Sequence, residues 1–313
     1  MQKNGCVRMD GLILMTAINH FMMNQLRIVT IENKFLQYSV APALGGKFVS
    51  IYNKQLKREF LWKNEKLSLT RLEPGSDYDS NFWGGIDELI PNDVPENIDG
   101  IDYPDHGELW TTPLEYEIKE EKLILSGTLS SSKLFYQKII DLDADSPAII
   151  ISYKIKNTSN NVRHFLWKLH AALKIQEGDK LITSAKKGKV ADVEYSRFTN
   201  PKEFEWPIIE GVDASVVPSQ NNTMDFFYLY NIPNGEMEFS SQQRHIFRYS
   251  YDKKIFPYQW YFASYGKFLD HYTAILEPCT TMPVSVNEAR KLNQCSVLKP
   301  NEELHTIVKI YAG

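Results

Sequence analysis

Three side chains along this chain have the chemistry of a proton-transfer site. His106 lies in the turn Asp105-His-Gly-Glu108. His170 lies inside an apolar run, Leu166-Trp-Lys-Leu-His-Ala-Ala-Leu173. Glu277 closes Tyr272-Thr-Ala-Ile-Leu-Glu277, directly before Pro278. Imidazoles change charge near neutral pH. A carboxylate at the rim of a sheet loses water, which raises its pKa toward that of a useful base. If the run 166–173 is a strand, Leu166, Lys168, His170 and Ala172 share one face. Trp167, Leu169, Ala171 and Leu173 then form an apolar opposite face. A lysine and a histidine on one strand face fit either a solvated sheet surface or the lining of a polar cleft. Taken singly, each of the three also fits a surface histidine or a strand-end carboxylate with a local hydrogen bond.

Other chemistries find little support. His106, Glu108 and His170 could supply metal ligands, but no HxH, HExxH or CxxC spacing accompanies them, and no metal is expected. There is no GxSxG nucleophile elbow and no phosphate-binding GxxxxGK[ST] loop. Leu44-Gly45-Gly46 lacks the following helix that a dinucleotide fingerprint needs. No nucleotide or redox cofactor is expected. The three cysteines, Cys6, Cys279 and Cys295, are too few and too scattered for a disulfide framework and point to a reducing, cytoplasmic setting. Cys279 reads as a small buried neighbour of Glu277 rather than a nucleophile, because nothing cationic nearby in sequence would lower its pKa. With 35 basic and 39 acidic residues and a net charge of -4, the chain lacks the basic stripe of a nucleic-acid binder. The short basic clusters 186–189 and 252–254 read as solvated turns. The expected partner is a small molecule, with no nucleic acid and no membrane; monomer and dimer are equally compatible with the sequence.

The elements that must hold these residues are strands. Runs at 26–31, 35–40, 47–52, 114–118, 123–129, 134–142, 148–155 and 165–175 are short, β-branched and aromatic, and so are 226–230, 237–239, 246–251, 259–263, 272–277 and 306–311. Turn chemistry separates them, as in Asn157-Thr-Ser-Asn-Asn161. One short helix is expected at 285–292, where Ser285 and Glu288 have capping-box spacing. This pattern reads as an all-β protein, a large antiparallel β-sandwich with few short helices. The 313 residues divide into a leader at 1–24, with a short apolar stretch too brief to span a bilayer, and a single domain at 25–313. Between Glu73 and Pro113 the alternation lapses. This long loop carries Phe82, Trp83, Tyr103 and Trp110 among Asp, Asn and Gly. Long ordered loops are usually functional, and flat aromatics beside carboxylates suit a sugar. Trp83, Asp87, Glu88, Glu108, Trp110 and Lys168 are the expected substrate contacts.

The order of these motifs resembles the galactose mutarotase-like (aldose 1-epimerase) superfamily over residues 26–313. Pro42-Ala-Leu-Gly-Gly46 followed by Arg58-Glu-Phe-Leu-Trp62 is similar to that family's opening. Asp105-His-Gly-Glu-Leu-Trp110 with Pro113 resembles its first histidine segment. Lys168-Leu-His-Ala-Ala172 resembles its second, and Ile275-Leu-Glu-Pro278 its strand-end glutamate. The resemblance implies a cofactor-free isomerase that interconverts the anomers of a free aldose. Glu277 would take the anomeric hydroxyl proton, His170 would protonate the ring oxygen, and His106 would stabilise developing charge. The family pattern also has an arginine ahead of the first histidine, and none lies between Arg71 and His106. A non-catalytic carbohydrate-binding protein on the same fold is therefore an alternative. So is another carbohydrate-active enzyme: a glycosidase pairing Glu108 or Glu88 with Glu277, or a lyase, against which the acidic loop argues.

Overall fold

A computed structural model describes residues 16–199 and 202–313. Among these residues the chain forms a 12-stranded and an 8-stranded antiparallel sheet. The larger runs in the order Ala17–Met23, Leu26–Glu32, Leu36–Ala41, Lys47–Asn53, Ile86–Leu89, Lys168–Lys174, Tyr272–Cys279, Tyr258–Tyr265, Thr223–Tyr230, Lys187–Val190, Glu203–Glu205, with the short Arg58–Glu59 paired to Lys47–Asn53 off this path. The smaller has Glu303–Ala312 and Ala148–Asn157 at its centre. The two sheets bury one face each against the other. Val29, Tyr38, Phe48 and Leu169 from the first meet Leu125, Tyr136, Ile151 and Val308 from the second. This is the all-β sandwich that the alternating pattern implies. Helix is scarce: Val286–Lys291, with two single-turn 3-10 segments, among the described residues. None is long and apolar enough to cross a membrane.

Three local readings change. The strand Ala17–Met23 pairs with Leu26–Glu32, so part of the segment read as a leader is an edge strand of the sheet; residues 1–15, including Cys6, lie outside the described residues. The basic cluster around Lys187 is no turn. Lys187–Val190 is a strand, with Gly188 and Val190 turned inward and Lys187 paired to Glu203 and Glu205. The run 165–175 is broken: Arg163–Phe165 pairs elsewhere, and the sheet strand starts at Lys168.

The long loop is built into the molecule from several sides. Asn92 donates to the carbonyls of Val94 and Pro104 and closes a small hairpin, Glu96–Ile98 against Ile101–Tyr103. From that hairpin the Glu96 carboxylate accepts from the amides of Val286 (2.6 Å) and Asn287 (3.2 Å) and caps the helix. Ser285 accepts from the Glu288 amide, as a capping residue should. At Gly107 (φ +74°) an added Cβ would meet the Ile90 carbonyl oxygen at 2.3 Å, so only glycine fits there.

Candidate functional site

The strand Lys168–Lys174 divides its side chains between two environments. Trp167, Leu169, Ala171 and Leu173 face the inter-sheet core. Leu166 and Ala172 pack into smaller clusters on the other side. Lys168 and His170 share that other side and line a cavity of about 320 Å³. The neighbouring strand pairs Lys168 with Cys279 and Ala171 with Leu276, a register that brings position 170 level with Glu277. Glu277, Ile275 and Thr273 accordingly line the same cavity. His106 and Asp93 reach it from the long loop, held to each other by a 2.7 Å bond from the His106 amide to the Asp93 carbonyl. Phe226, Tyr228, Phe262 and Phe268 make an aromatic wall. The three acid/base candidates, scattered over the sequence, thus surround one hollow.

Lys168 is the hub of its electrostatics. Its Nζ lies 2.5 Å from Asp93 Oδ1, 2.7 Å from Glu277 Oε2 and 4.5 Å above the Trp260 ring. Both contacts are close ion pairs between buried groups. Burial opposes the charge on Lys168, but the two carboxylates outweigh it and raise its pKa. Burial likewise opposes the charge on Asp93, yet Lys168 and His106 prevail and lower its pKa. On Glu277 burial wins over Lys168, and its pKa is raised.

The two histidines differ. Burial disfavours charge on His106, but Asp93 and the close carboxylate of Asp105 (Nδ1 to Oδ2 3.0 Å) more than compensate, and its pKa is raised. Its ring stacks on Tyr78 at 4.1 Å, a π face suited to a cation. Burial and the nearby charges of Lys168 and His106 hold His170 well below the ordinary histidine value. The Tyr78 hydroxyl donates to Asp87 (2.9 Å), which also takes the Lys47 ammonium at 2.5 Å. With its proton committed there, Tyr78 can only accept from His170 Nδ1, 3.3 Å away. That fixes the tautomer and leaves His170 Nε2 with a lone pair.

Several expected contacts lie elsewhere. Asp87 is behind Tyr78 and acts through it. Glu88 points into the inter-sheet core, bound by Lys138 (2.9 and 2.7 Å) and Tyr153 (2.8 Å). The strand Ile86–Leu89 sends neighbours to opposite faces, so Asp87 and Glu88 cannot share one hollow. Glu108 accepts from the amides of Ser131 (2.6 Å) and Ser132 (3.0 Å) and fastens the loop to the smaller sheet. It cannot join His106 in a metal set or face Glu277 across a cleft. Trp110 is buried and supports Tyr78 edge-on at 5.0 Å. Trp83 packs beside Leu26 and Leu44 instead. Asp93 and Tyr78 were not legible as site residues. Each sits in turn-forming composition that carries no periodic signal. His271 also lines the cavity. Burial pushes the Cys279 thiol up to about 12, which removes it as a nucleophile.

This architecture has close structural counterparts. A "putative aldose 1-epimerase" from Klebsiella pneumoniae superposes with a TM-score of 0.75 at 13% identity, over 95% of this chain and 82% of that one. A galactose mutarotase-like protein from Clostridium acetobutylicum gives 0.69 at 14%, over 95% and 98%. The chain has the galactose mutarotase-like fold. A galactose mutarotase-like protein from Lactobacillus casei agrees, at 0.66 and 16% identity over 91% of this chain and all of that one. No family model matches the sequence, and no curated protein does. The backbone course therefore matches these structures at low sequence identity.

Proposed function

We propose that the chain is an aldose 1-epimerase-like isomerase that opens and recloses the ring of a free, uncharged aldose. The observation that carries this reading is the convergence of Glu277, His106 and His170 on one aromatic-walled cavity. Its volume, about 320 Å³, is at the small end for ligand sites and suits a single sugar ring. Five carboxylates line it (Asp79, Asp93, Asp105, Asp192 and Glu277) and no arginine does. A phosphorylated or acidic ring would be repelled there.

Glu277 takes the proton of the anomeric hydroxyl. A protonated histidine gives a proton to the ring oxygen as the C1–O5 bond breaks. Rotation about C1–C2 and the reverse transfers yield the other anomer. The electrostatics favour His106 as that acid, since its neighbours raise its pKa while burial lowers that of His170. His170, neutral and with a free Nε2, accepts from a sugar hydroxyl. This exchanges the histidine roles that the family resemblance implies. We place the activity in the cytoplasm on the sparse cysteine usage.

One observation favours a second reading, carbohydrate binding without turnover: Lys168 already occupies Glu277 and weakens it as a base. Polarimetry decides between them. Fresh α-D-glucose and α-D-galactose should lose optical rotation faster with the protein present, and Glu277→Gln should reduce that acceleration by about 10²–10⁴-fold. Sugar binding without acceleration by the wild type would establish the second reading.

A further inference from the structure

Beside the cavity runs a wider groove of about 830 Å³, and His271 lines both. The divide between them is aromatic. Phe82 faces the cavity, Trp62 faces the groove, and the two rings stack at 5.7 Å with His271 4.8 Å from Trp62. The two hollows have opposite charge. The cavity has five carboxylates and one lysine; the groove has five lysine or arginine side chains and three carboxylates. One of those three, Glu59, is turned onto the amides of Ile51 (3.0 Å) and Leu61 (2.9 Å).

Arg58 is the most informative residue in the groove. It is half-buried, and its guanidinium lies over Phe60 at 5.2 Å. Its Nη1 is 3.0 Å from His245 Nδ1. Its Nε is buried with no partner. No carboxylate lies within ion-pair distance of it among the described residues; the one anion whose charge reaches it is Asp179, which is turned onto the amides of Gln176 (2.9 Å) and Gln242 (3.2 Å). A planar, always charged fork held in place with no carboxylate in direct contact is suited to a carboxylate or sulfate. Lys174 lines the same groove and adds positive charge.

We propose that this groove is an anion-accepting carbohydrate subsite anchored on Arg58. The full ligand is then an acidic oligosaccharide. Its neutral reducing-end ring occupies the cavity, and the adjoining carboxylate- or sulfate-bearing residue passes over His271 and Trp62 to Arg58. The inference rests on the reading of the cavity as a sugar site, and it explains why an acid-lined pocket adjoins a basic groove.

The test is a calorimetric titration of the full chain with four probes: a reducing disaccharide of glucuronic acid linked to a neutral hexose, its neutral parent disaccharide, the free hexose and free glucuronate. The acidic disaccharide should bind about tenfold more tightly than its neutral parent at low salt, the gain of one charge-assisted contact. Added salt should shrink that ratio. Arg58→Gln should bring it to about one, and Arg58→Lys, which keeps charge without the fork, should leave it in between. Equal affinities in the wild type, or a ratio that survives Arg58→Gln, would overturn the proposal. So would free glucuronate binding through Arg58 as tightly as the disaccharide, since the groove would then be an independent anion site. Polarimetry on the free hexose tests the cavity separately, and the binding ratio needs no turnover.

Discussion

At the scale of single residues, the site is governed by how Lys168 is shared. Without it, burial and the neighbouring Asp93 would both push the Glu277 pKa up, with His106 left to oppose them. With it, Glu277 is pulled back toward ionisation, although its pKa remains above the ordinary carboxylate value. A reaction that needs ionised Glu277 and protonated His106 has a bell-shaped pH profile. Its acid limb follows Glu277 and lies above the usual carboxylate range. Its alkaline limb follows His106 and lies above 6.5, the ordinary histidine value. Lys168→Met removes the cation that lowers the Glu277 pKa, so the acid limb should move to higher pH while the alkaline limb, released from a repelling charge, also rises. Polarimetric kcat/KM across about pH 4 to 9 reads both limbs. An unmoved acid limb would mean that Glu277 is not the base. The sequence placed His106, His170 and Glu277 but could not say which histidine carries charge. That depends on Asp93 and Asp105 on one side and Lys168 on the other, and of these only Asp105, adjacent to His106, is local in the chain.

At the scale of elements, parity explains both what was legible and what was not. The 166–173 alternation separated an apolar face from the Lys168 and His170 face, without saying whether the latter met solvent or a cleft, because the segment forms a strand over most of its length. The same rule would have sent Asp87 and Glu88 to opposite faces, but four strand residues inside a turn-rich loop gave no period to detect. Lys138 follows the rule too: it shares the inward face of Leu134–Leu142 with Tyr136 and Ile140 and is fully buried. Its partner there is Glu88, at 2.7 Å. Two charges without solvent have strong mutual attraction and a large desolvation cost, so losing one partner is the damaging event. Glu88→Gln should cost about 3–5 kcal/mol of stability, while Glu88→Leu combined with Lys138→Met should recover most of it. Urea unfolding of the two variants checks this. A loss below about 1 kcal/mol in the single variant would place the pair among ordinary exposed salt bridges.

At the scale of the whole molecule, core and candidate site are separate layers. The inter-sheet core lies on one face of the larger sheet, and the cavity lies on the other. Such a division lets site residues change while the sandwich persists, in keeping with a TM-score of 0.75 at 13% identity. It does not free the core of titratable groups. Asp225 is completely buried on the strand Thr223–Tyr230, 3.1 Å from the Arg197 guanidinium and 3.2 Å from the Tyr265 hydroxyl. Burial outweighs both partners and raises its pKa from 3.8 to about 6. A folded-state value above the unfolded one means that folding takes up a proton between them. The stabilising contribution is complete below 3.8 and is lost as pH rises through about 6. The slope belongs to the carboxylate, whatever constant offset a substitution introduces. Wild type should therefore lose urea resistance between pH 4 and pH 7 relative to Asp225→Asn, with the difference levelling above the folded pKa. Parallel curves for the two proteins would show that Arg197 keeps Asp225 ionised throughout, and that the ion pair rather than burial sets its charge.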